Sequence, residues 1–275
     1  MSDERWAVIL GASSGTGAAI ARAVARDPGL HVFGVHRGNH PASALAVAED
    51  VEAAGRRAHL RRADAGTAEG AAEGAEALLH AAGPRSVHLF VHSIADASIG
   101  RLASGDARQL HPKQFQKTLD AMASSFVYWT QELLARDLLG PGARLLGLSN
   151  PMVDTVVRDT ALIAAAKAAL EIYVRHLARE LGPRGHRVNL LKFGAVLTPA
   201  LERTFGPRLG ALRGVLRRVI PAGRTATLEE VARVVSMLAG DGGAWFNGAT
   251  IDFTGGESQA LMDALLSPDE KEEHR

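Results

Sequence analysis

The chain of 275 residues contains no cysteine, which excludes disulfide bonds, thiolate nucleophiles and cysteine-ligated metal sites. Aromatic residues make up only 5 % of it, and two residues in all are tyrosines, Tyr128 and Tyr173. No apolar run approaches the ~18 residues that span a bilayer, and Asp3, Glu4 and Arg5 stand where a signal peptide would begin. A net charge of +1 indicates neither nucleic acid nor membrane as a partner. We therefore expect a soluble, cytoplasmic protein.

The sequence alternates short apolar runs with longer segments of helical periodicity, and its apolar fraction of 47 % is enough for a large core. Continuous apolar strands are typical of sheets that are covered on both faces. The pattern predicts an α/β fold: one doubly wound parallel sheet with helices on both faces, in a single domain over residues 1–266. Residues 267–275 are charged, have no apolar face and are predicted to form a flexible tail.

The element boundaries follow from these runs. The predicted strands are Trp6–Leu10, His31–Val35, Arg57–Arg61, Val87–His92, Ala143–Leu148, His186–Phe193 and Ala249–Phe253. The predicted helices are Gly17–Arg26, Ala42–Ala54, Ala68–Ala82, Lys113–Leu139, Thr160–Leu181 and Leu228–Ala239. In such a fold, ligands bind beyond the carboxyl ends of the strands.

A glycine-rich loop connects the first predicted strand to the first helix. Glycines permit a tight turn and let backbone N–H groups approach a pyrophosphate at a helix N-terminus. The position of the loop, directly after the first strand, indicates a dinucleotide site rather than an ordinary turn. The residues that we expect to bind the cofactor here are Gly11, Ser13, Ser14, Gly15, Thr16 and Gly17.

Further segments match, in order, the pattern of the short-chain dehydrogenase/reductase superfamily. They are Asp64 after the third strand, His92-Ser-Ile-Ala95 at the end of the fourth, Lys167 on a helix, the segment 193–198, and Asp252-Phe-Thr-Gly-Gly256. The chain resembles this superfamily over about residues 5–256, and its His-Ser-Ile run is similar to the enoyl-acyl-carrier-protein reductase branch. The resemblance implies a Rossmann-type fold. It also implies cofactor contacts from Asp64, Ser93, Ile94, Ala95, Lys167, Gly194 and Thr198.

The segment after the second strand bears on the choice of cofactor. An NAD-specific site usually has an acidic residue there, which binds the ribose hydroxyls. This chain has Val35-His-Arg-Gly-Asn39 instead, and the planar fork of Arg37 can pair with a 2′-phosphate. NADP(H) is therefore favoured over NAD(H). His36 and His40 have no further ligands at suitable spacing nearby, so no metal site is predicted.

The resemblance also implies a catalytic tyrosine, and this chain has none at the matching positions. Counting back from Lys167, the ketoreductase position holds Ile163 and the enoyl reductase position holds Thr160. The position seventeen residues before the lysine holds Asn150. Tyr173 follows Lys167 by six residues, about 600° around a helix, and is expected to point away from it.

The missing phenol limits the chemistry that the site can perform. Reducing a ketone makes an alkoxide, which needs a good acid within hydrogen-bond reach. Hydride addition to an enoyl thioester sends the charge to a thioester oxygen, which needs hydrogen-bond donors. We therefore expect Lys167, Thr160 and Asn150 to form an atypical catalytic site that acts on an activated C=C bond.

Residues 199–221 follow the cofactor segments, where the resemblance implies a mobile substrate lid. Five arginines and an apolar stripe in this segment fit either a solvated helix or a site for an acyl thioester, which a carrier protein could hold. An alanine-rich face of the helix around Lys167 would permit close packing between copies, and the resemblance implies a homodimer or homotetramer.

Three functional hypotheses stay open at this point. The first is an NADPH-dependent reductase of an activated C=C bond, acting on an acyl thioester or a natural-product intermediate. The second is a non-redox catalyst on the same scaffold, such as an isomerase, dehydratase or cyclase. The third is a cofactor-binding protein without turnover.

Overall fold

In the computed structural model, residues 4–257 and 260 are described, and their strands form one parallel sheet. The strands are β1 (Trp6–Leu10), β2 (His31–His36), β3 (Ala58–Arg62), β4 (Val87–His92), β5 (Leu139–Ser149), β6 (Arg187–Phe193) and β7 (Thr250–Phe253). Their order across the sheet is β3-β2-β1-β4-β5-β6-β7, and every neighbouring pair is parallel. The order reverses between β1 and β4, and this switch point opens a crevice at the carboxyl ends of the strands.

Helices cover both faces of the sheet. They are α1 (Gly15–Arg26), α2 (Pro41–Ala53), α3 (Ala68–Ala82), α4 (Pro112–Leu119), α5 (Ser125–Ala135), α6 (Ala161–Leu181), α7 (Pro199–Phe205), α8 (Leu209–Val219) and α9 (Leu228–Ala239). Alternate side chains of the strands enter two separate cores: Val8 packs with α3, α5 and α6, and Ile9 packs with α1, α2 and α9. The predicted single-domain, doubly wound α/β architecture is confirmed.

The predicted helix Lys113–Leu139 is wrong in two respects. The structure divides it into α4 and α5 with a π-helical turn, Asp120–Ser124, between them, and α5 already ends at Ala135. Strand β5 starts at Leu139 and not at Ala143, because Leu139 already pairs with Val87 of β4. The register shifts after this pair, and the next pair is Leu89 with Arg144. The apolar periodicity of the segment does not reveal the π turn, because such a turn inserts one residue without changing the composition.

The predicted charged tail, residues 267–275, lies outside the described residues. Within the described part of the chain, none of the helices combines the length and the apolar character that crossing a bilayer requires.

Candidate functional site

A cleft of about 570 Å³ lies at the switch point of the sheet. It is lined by residues that follow each of the seven strands, so the parallel topology gathers segments far apart in sequence. Most of the residues predicted from the sequence meet there: Gly11, Ser13, Ser14, Gly15, Thr16, Arg37, Asp64, Ser93, Ile94, Ala95, Asn150, Lys167, Gly194 and Thr198. Two predicted residues, Gly17 and Thr160, are absent from its lining.

The glycine loop needs its glycines for close approach. Gly11 has a positive φ of 82°, and a Cβ atom there would lie 2.5 Å from the Ser93 carbonyl oxygen. A Cβ atom on Gly17 would overlap the Gly11 carbonyl, so Gly17 packs against the backbone of the loop rather than lining the cleft. Helix α1 begins directly after this loop without a side-chain cap and without an acidic residue in its first turn. Its free N–H groups therefore suit an anionic group such as a pyrophosphate.

Arg37 follows β2 and lines the cleft, but it is already paired. Its Nη1 donates to Asp96 Oδ2 at 2.5 Å, and Lys117 Nζ lies 3.4 Å from the same oxygen. Burial opposes ionisation of Asp96, yet the hydrogen bond and charge of Arg37 keep the pKa of that carboxyl below its usual value. A guanidinium has five N–H donors, so Arg37 keeps donors for a second anion. His36 is committed in a similar way, because its Nδ1 accepts from the Gly38 N–H at 3.1 Å.

Lys167 projects from α6 into the cleft and is only 4 % exposed. Its Nζ donates to the Leu148 carbonyl oxygen at 2.7 Å, which fixes the amine against the end of β5. Burial lowers the pKa of Lys167 to about 8. The ammonium is therefore mostly charged at neutral pH and close to its point of titration.

His92 ends β4 and is completely buried beneath this lysine. Its Nε2 lies 2.8 Å from Ser125 Oγ, and Ser125 donates its own proton to the Ala121 carbonyl oxygen. We therefore assign the His92 proton to Nε2, since the serine oxygen can only accept. Burial, together with the charge of Lys167, lowers the pKa of His92 to about 3. His92 is neutral at physiological pH and holds the π turn against the sheet.

Asn150 lines the cleft at the end of β5. Its Oδ1 accepts from the Met152 N–H at 3.1 Å and caps a short 3₁₀ turn. This bond orients the side chain and leaves the amide NH₂ group as its remaining hydrogen-bond donor.

The structure does not bring Thr160 to the cleft, which corrects its prediction as a donor. Thr160 caps α6, is 2 % exposed, and its hydroxyl donates to the Val157 carbonyl oxygen at 2.9 Å. Ile163, one turn further along the same helix, lines the cleft instead. The seven-residue count from Lys167 misses this because Thr160 lies outside the regular helix.

Neither tyrosine of the chain lines the cleft. The Tyr128 hydroxyl donates to Asp120 Oδ1 at 3.1 Å, and Tyr173, on α6, packs against the core. The sequence-based expectation that Tyr173 points away from the lysine agrees with this arrangement. The cleft holds no phenol.

The predicted lid, 199–221, consists of α7 and α8. Thr198 begins it by accepting from the Leu201 N–H at 3.1 Å. Arg203 and Leu212 line the cleft, while Leu216 is buried. The five lid arginines are exposed: Arg203, Arg208, Arg213, Arg217 and Arg218.

Sequence reasoning missed three residues of the site. Asp96 pairs with Arg37, Ser125 holds His92, and Glu257 lines the cleft from beyond β7. Asp96 directly follows the predicted cofactor residues Ser93–Ala95, and Glu257 directly follows the Gly255-Gly256 pair, so both had a local signal. No local sequence pattern points to Ser125, because the π turn brings it under His92.

Comparisons with known proteins agree with this geometry. The family model described as enoyl-(acyl carrier protein) reductase matches residues 11–258. The 1-cyclohexenylcarbonyl-CoA reductase of Streptomyces collinus is 31 % identical over 91 % of this chain and 86 % of its own length. The enoyl-(acyl-carrier-protein) reductase (NADH) FabI of Escherichia coli is 32 % identical over 64 % of this chain and 66 % of its own length.

A solved structure shows the same fold. A short-chain dehydrogenase from Burkholderia cenocepacia, in complex with NADP, superposes with a TM-score of 0.78 at 27 % identity, over 93 % of this chain and 98 % of that one. The chain therefore belongs to the short-chain dehydrogenase/reductase superfamily and is an enoyl-reductase-like, NAD(P)-dependent oxidoreductase by family.

Proposed function

We propose that this protein is an NADP(H)-dependent reductase that acts on an activated C=C bond of an acyl thioester or a related natural-product intermediate. The observation on which this rests is a cleft with a buried Lys167, an open glycine loop and no phenol. The Streptomyces and Escherichia relatives are named as reductases of acyl thioesters, which supports the same substrate class.

The residues of the cleft fit a nicotinamide dinucleotide. The uncapped N-terminus of α1 suits the pyrophosphate, and the close approach at Gly11 and Gly17 leaves the loop backbone open to it. Lys167 would hold a ribose hydroxyl, in line with the role that its family implies. When bound, the reduced nicotinamide supplies a hydride.

The donors of the cleft suit an enolate better than an alkoxide. An alkoxide needs a strong proton donor, and the phenol that supplies it in related reductases is missing. An enolate oxygen is stabilised by donors that need not give up a proton, such as the Asn150 NH₂ group and the Lys167 ammonium. The reaction thus favoured is hydride addition to a conjugated thioester.

A substrate panel tests this proposal. Purified protein would be mixed with NADPH and either 2-enoyl-CoA thioesters or simple ketones, and NADPH consumption would be followed by absorbance. We expect consumption with enoyl thioesters and a saturated product. Consumption with ketones alone would refute the proposed substrate class, and binding of NADPH without consumption would refute turnover.

Arg37 supports NADP(H) over NAD(H) as the preferred cofactor. A 2′-phosphate beside β2 would share Arg37 with Asp96, since the guanidinium has donors to spare. Arg37→Ala should cost about 2 kcal/mol of NADPH binding, roughly a thirtyfold rise in Kd, and leave NADH nearly unchanged. Asp96→Asn is the companion variant, because it releases Arg37 and should strengthen NADPH binding. Equal losses for both cofactors in Arg37→Ala would refute the assignment.

The lid supports an acidic carrier protein as the donor of the thioester. The arginines of α7 and α8 are exposed, and Arg213 directly follows Leu212, which lines the cleft. Arg213→Glu, on the outer surface of α8, should raise KM for a carrier-protein substrate and leave KM for the matching CoA thioester unchanged. Equal effects on both substrates would argue against carrier docking at this surface.

The exposed alanines of α6 support a homodimer or homotetramer. Ala165 and Ala168 leave a flat surface on which a second copy of the helix can pack closely. Light scattering coupled to gel filtration should give twice or four times the 29.0 kDa chain mass, and Ala168→Arg should reduce it. A monomeric mass for both proteins would refute the predicted oligomer.

A cytoplasmic location also stays a prediction.

The burial of Thr160 favours a second candidate, a cofactor-binding protein without turnover. Its hydroxyl donates to the Val157 carbonyl, so the cleft lacks both a phenol and the Thr160 hydroxyl that the sequence predicts in its place. The substrate panel separates the two candidates, because this one predicts NADPH binding without consumption for every thioester.

A further inference from the structure

Glu257 is a carboxyl group in the cleft with no role so far. It lies beyond β7 and lines the cleft together with Gly194 and Thr198. Its Oε2 atom is buried and has no hydrogen-bond partner among the described residues, whereas the Ala195 backbone N–H donates to the carboxyl. A Cβ atom on Gly194 would lie 2.5 Å from Oε2, so the carboxyl fits only beside a glycine. The carboxyl group is thus oriented by the Ala195 N–H, while its Oε2 atom has no hydrogen-bond partner among the described residues.

The surroundings of Glu257 favour its protonated form. Lys192, on β6, is paired with two aspartates, Asp154 at 2.8 Å and Asp252 at 3.3 Å. Arg203 and Lys167 line the same cleft, but neither forms an ion pair with Glu257 within the described part of the chain. Burial, followed by repulsion from Asp252, raises the pKa of the Glu257 carboxyl above its usual value.

The loop that holds this carboxyl also contacts the glycine loop. The same segment, 194–198, ends at Thr198, whose Cγ2 would lie 3.3 Å from a Cβ atom placed on Gly15. Glu257 lines the cleft together with this segment. A carboxylic acid in the cleft lining can serve as a general acid for a substrate bound there.

We infer that Glu257 is the proton donor of the reaction, in a cleft that has no tyrosine for this task. The inference rests on the proposed function. The reduced cofactor is the reductant and is oxidised, and its hydride forms the new C–H bond at the β-carbon of the enoyl thioester. The O–H bond of Glu257 breaks, its proton forms the new C–H bond at the α-carbon, and water reprotonates the carboxylate.

The test compares Glu257→Gln with a matched control, Glu202→Gln. Glu202 is exposed on α7 and absent from the cleft lining. Glutamine keeps the shape and can still accept from Ala195, but it has no acidic proton. We expect Glu257→Gln to lower kcat for an enoyl-CoA about a hundredfold and to leave the Kd for NADPH within about threefold, since a general acid contributes at least this much. Glu202→Gln should match the wild type in both.

The pH profile and an infrared measurement give readouts that a merely structural role would not move. The wild-type rate should fall as pH rises through the Glu257 pKa, and Glu257→Asp should keep this fall, whereas Glu257→Gln should lose it. The infrared spectrum of the wild type at mildly acid pH should contain a carbonyl band of a buried carboxylic acid that Glu257→Gln lacks.

The outcomes separate this inference from the proposed function. A wild type that reduces no enoyl thioester refutes the proposed function, and with it this role. An active wild type whose activity and pH profile survive in Glu257→Gln refutes the role of Glu257 alone. If Glu257→Gln does not fold, Glu257→Asp decides: retention of the wild-type fall at pH values below the range in which Lys167 titrates supports the inference, and a rate that is independent of pH in that range overturns it.

Discussion

Replacing Lys167 with methionine should change how the stability of this protein depends on pH. In the folded chain the pKa of this buried amine is lowered to about 8, against 10.5 for an exposed lysine. Between these two pH values the unfolded chain binds more protons than the folded one. The free energy of unfolding of the wild type should therefore rise with pH across this window, because deprotonation removes a buried charge.

The size of the effect follows from the two pKa values. Their difference corresponds to about 3 kcal/mol, at roughly 1.4 kcal/mol per pKa unit. This penalty is fully present below about pH 7 and is relieved by about pH 10.5. Methionine is similar in volume and has no charge, so Lys167→Met should lack the rise. It loses the bond to the Leu148 carbonyl, which costs about 1 kcal/mol at every pH.

Urea unfolding followed by tryptophan fluorescence at about pH 7 and about pH 10, without cofactor, measures the difference. The gain in unfolding free energy between the two pH values should be about 2–3 kcal/mol larger in the wild type than in Lys167→Met. Lys113→Met is the control, because Lys113 is exposed on α4 and should follow the wild type. Equal gains in wild type and Lys167→Met would refute a charged amine buried in the cleft.

Three further predictions test the geometry of the cleft. Gly17→Ala should weaken NADPH binding at least tenfold in a fluorescence titration, because its methyl group displaces the Gly11 carbonyl, whereas Gly210→Ala, in open space, should not. Tyr128→Phe and Tyr173→Phe should keep kcat within about twofold, and a hundredfold loss in either would indicate a phenol mechanism. Ile163→Tyr places a phenol in the cleft and should introduce ketone reduction, measured as alcohol formed; no alcohol would contradict this geometry.

The fold could be predicted from the sequence because its signals are local and repeated. Each strand is a short apolar run, as in Val87–His92, and each helix has its own periodicity, so alternation alone predicts a parallel sheet. Residues such as Gly11 and Asn150 follow strands, and the topology then brings them to one edge. The site residues on strand ends were therefore accessible to sequence reasoning.

The remaining features depend on tertiary contacts that periodicity does not encode. The pairing of Arg37 with Asp96 joins two loops that are 59 residues apart. Thr160 stands one residue before the start of α6, so its side chain does not follow the helical spacing. Its hydroxyl donates to the Val157 carbonyl oxygen instead. No characteristic amino-acid composition marks the π turn before Ser125. A helical count from Lys167 puts both Ile163 and Thr160 near the face of that lysine, but only Ile163 lines the cleft.

A single-turnover reaction with NADPH deuterated at the transferable position of the nicotinamide tests the central claim most directly. The protein would be mixed with this cofactor and a 2-enoyl-CoA, and the thioester product would be analysed by mass spectrometry. The account predicts a saturated acyl thioester with one deuterium at its β-carbon. Bound NADPH that transfers no deuterium to any enoyl thioester, or that transfers it only to a ketone in a parallel reaction, would contradict it.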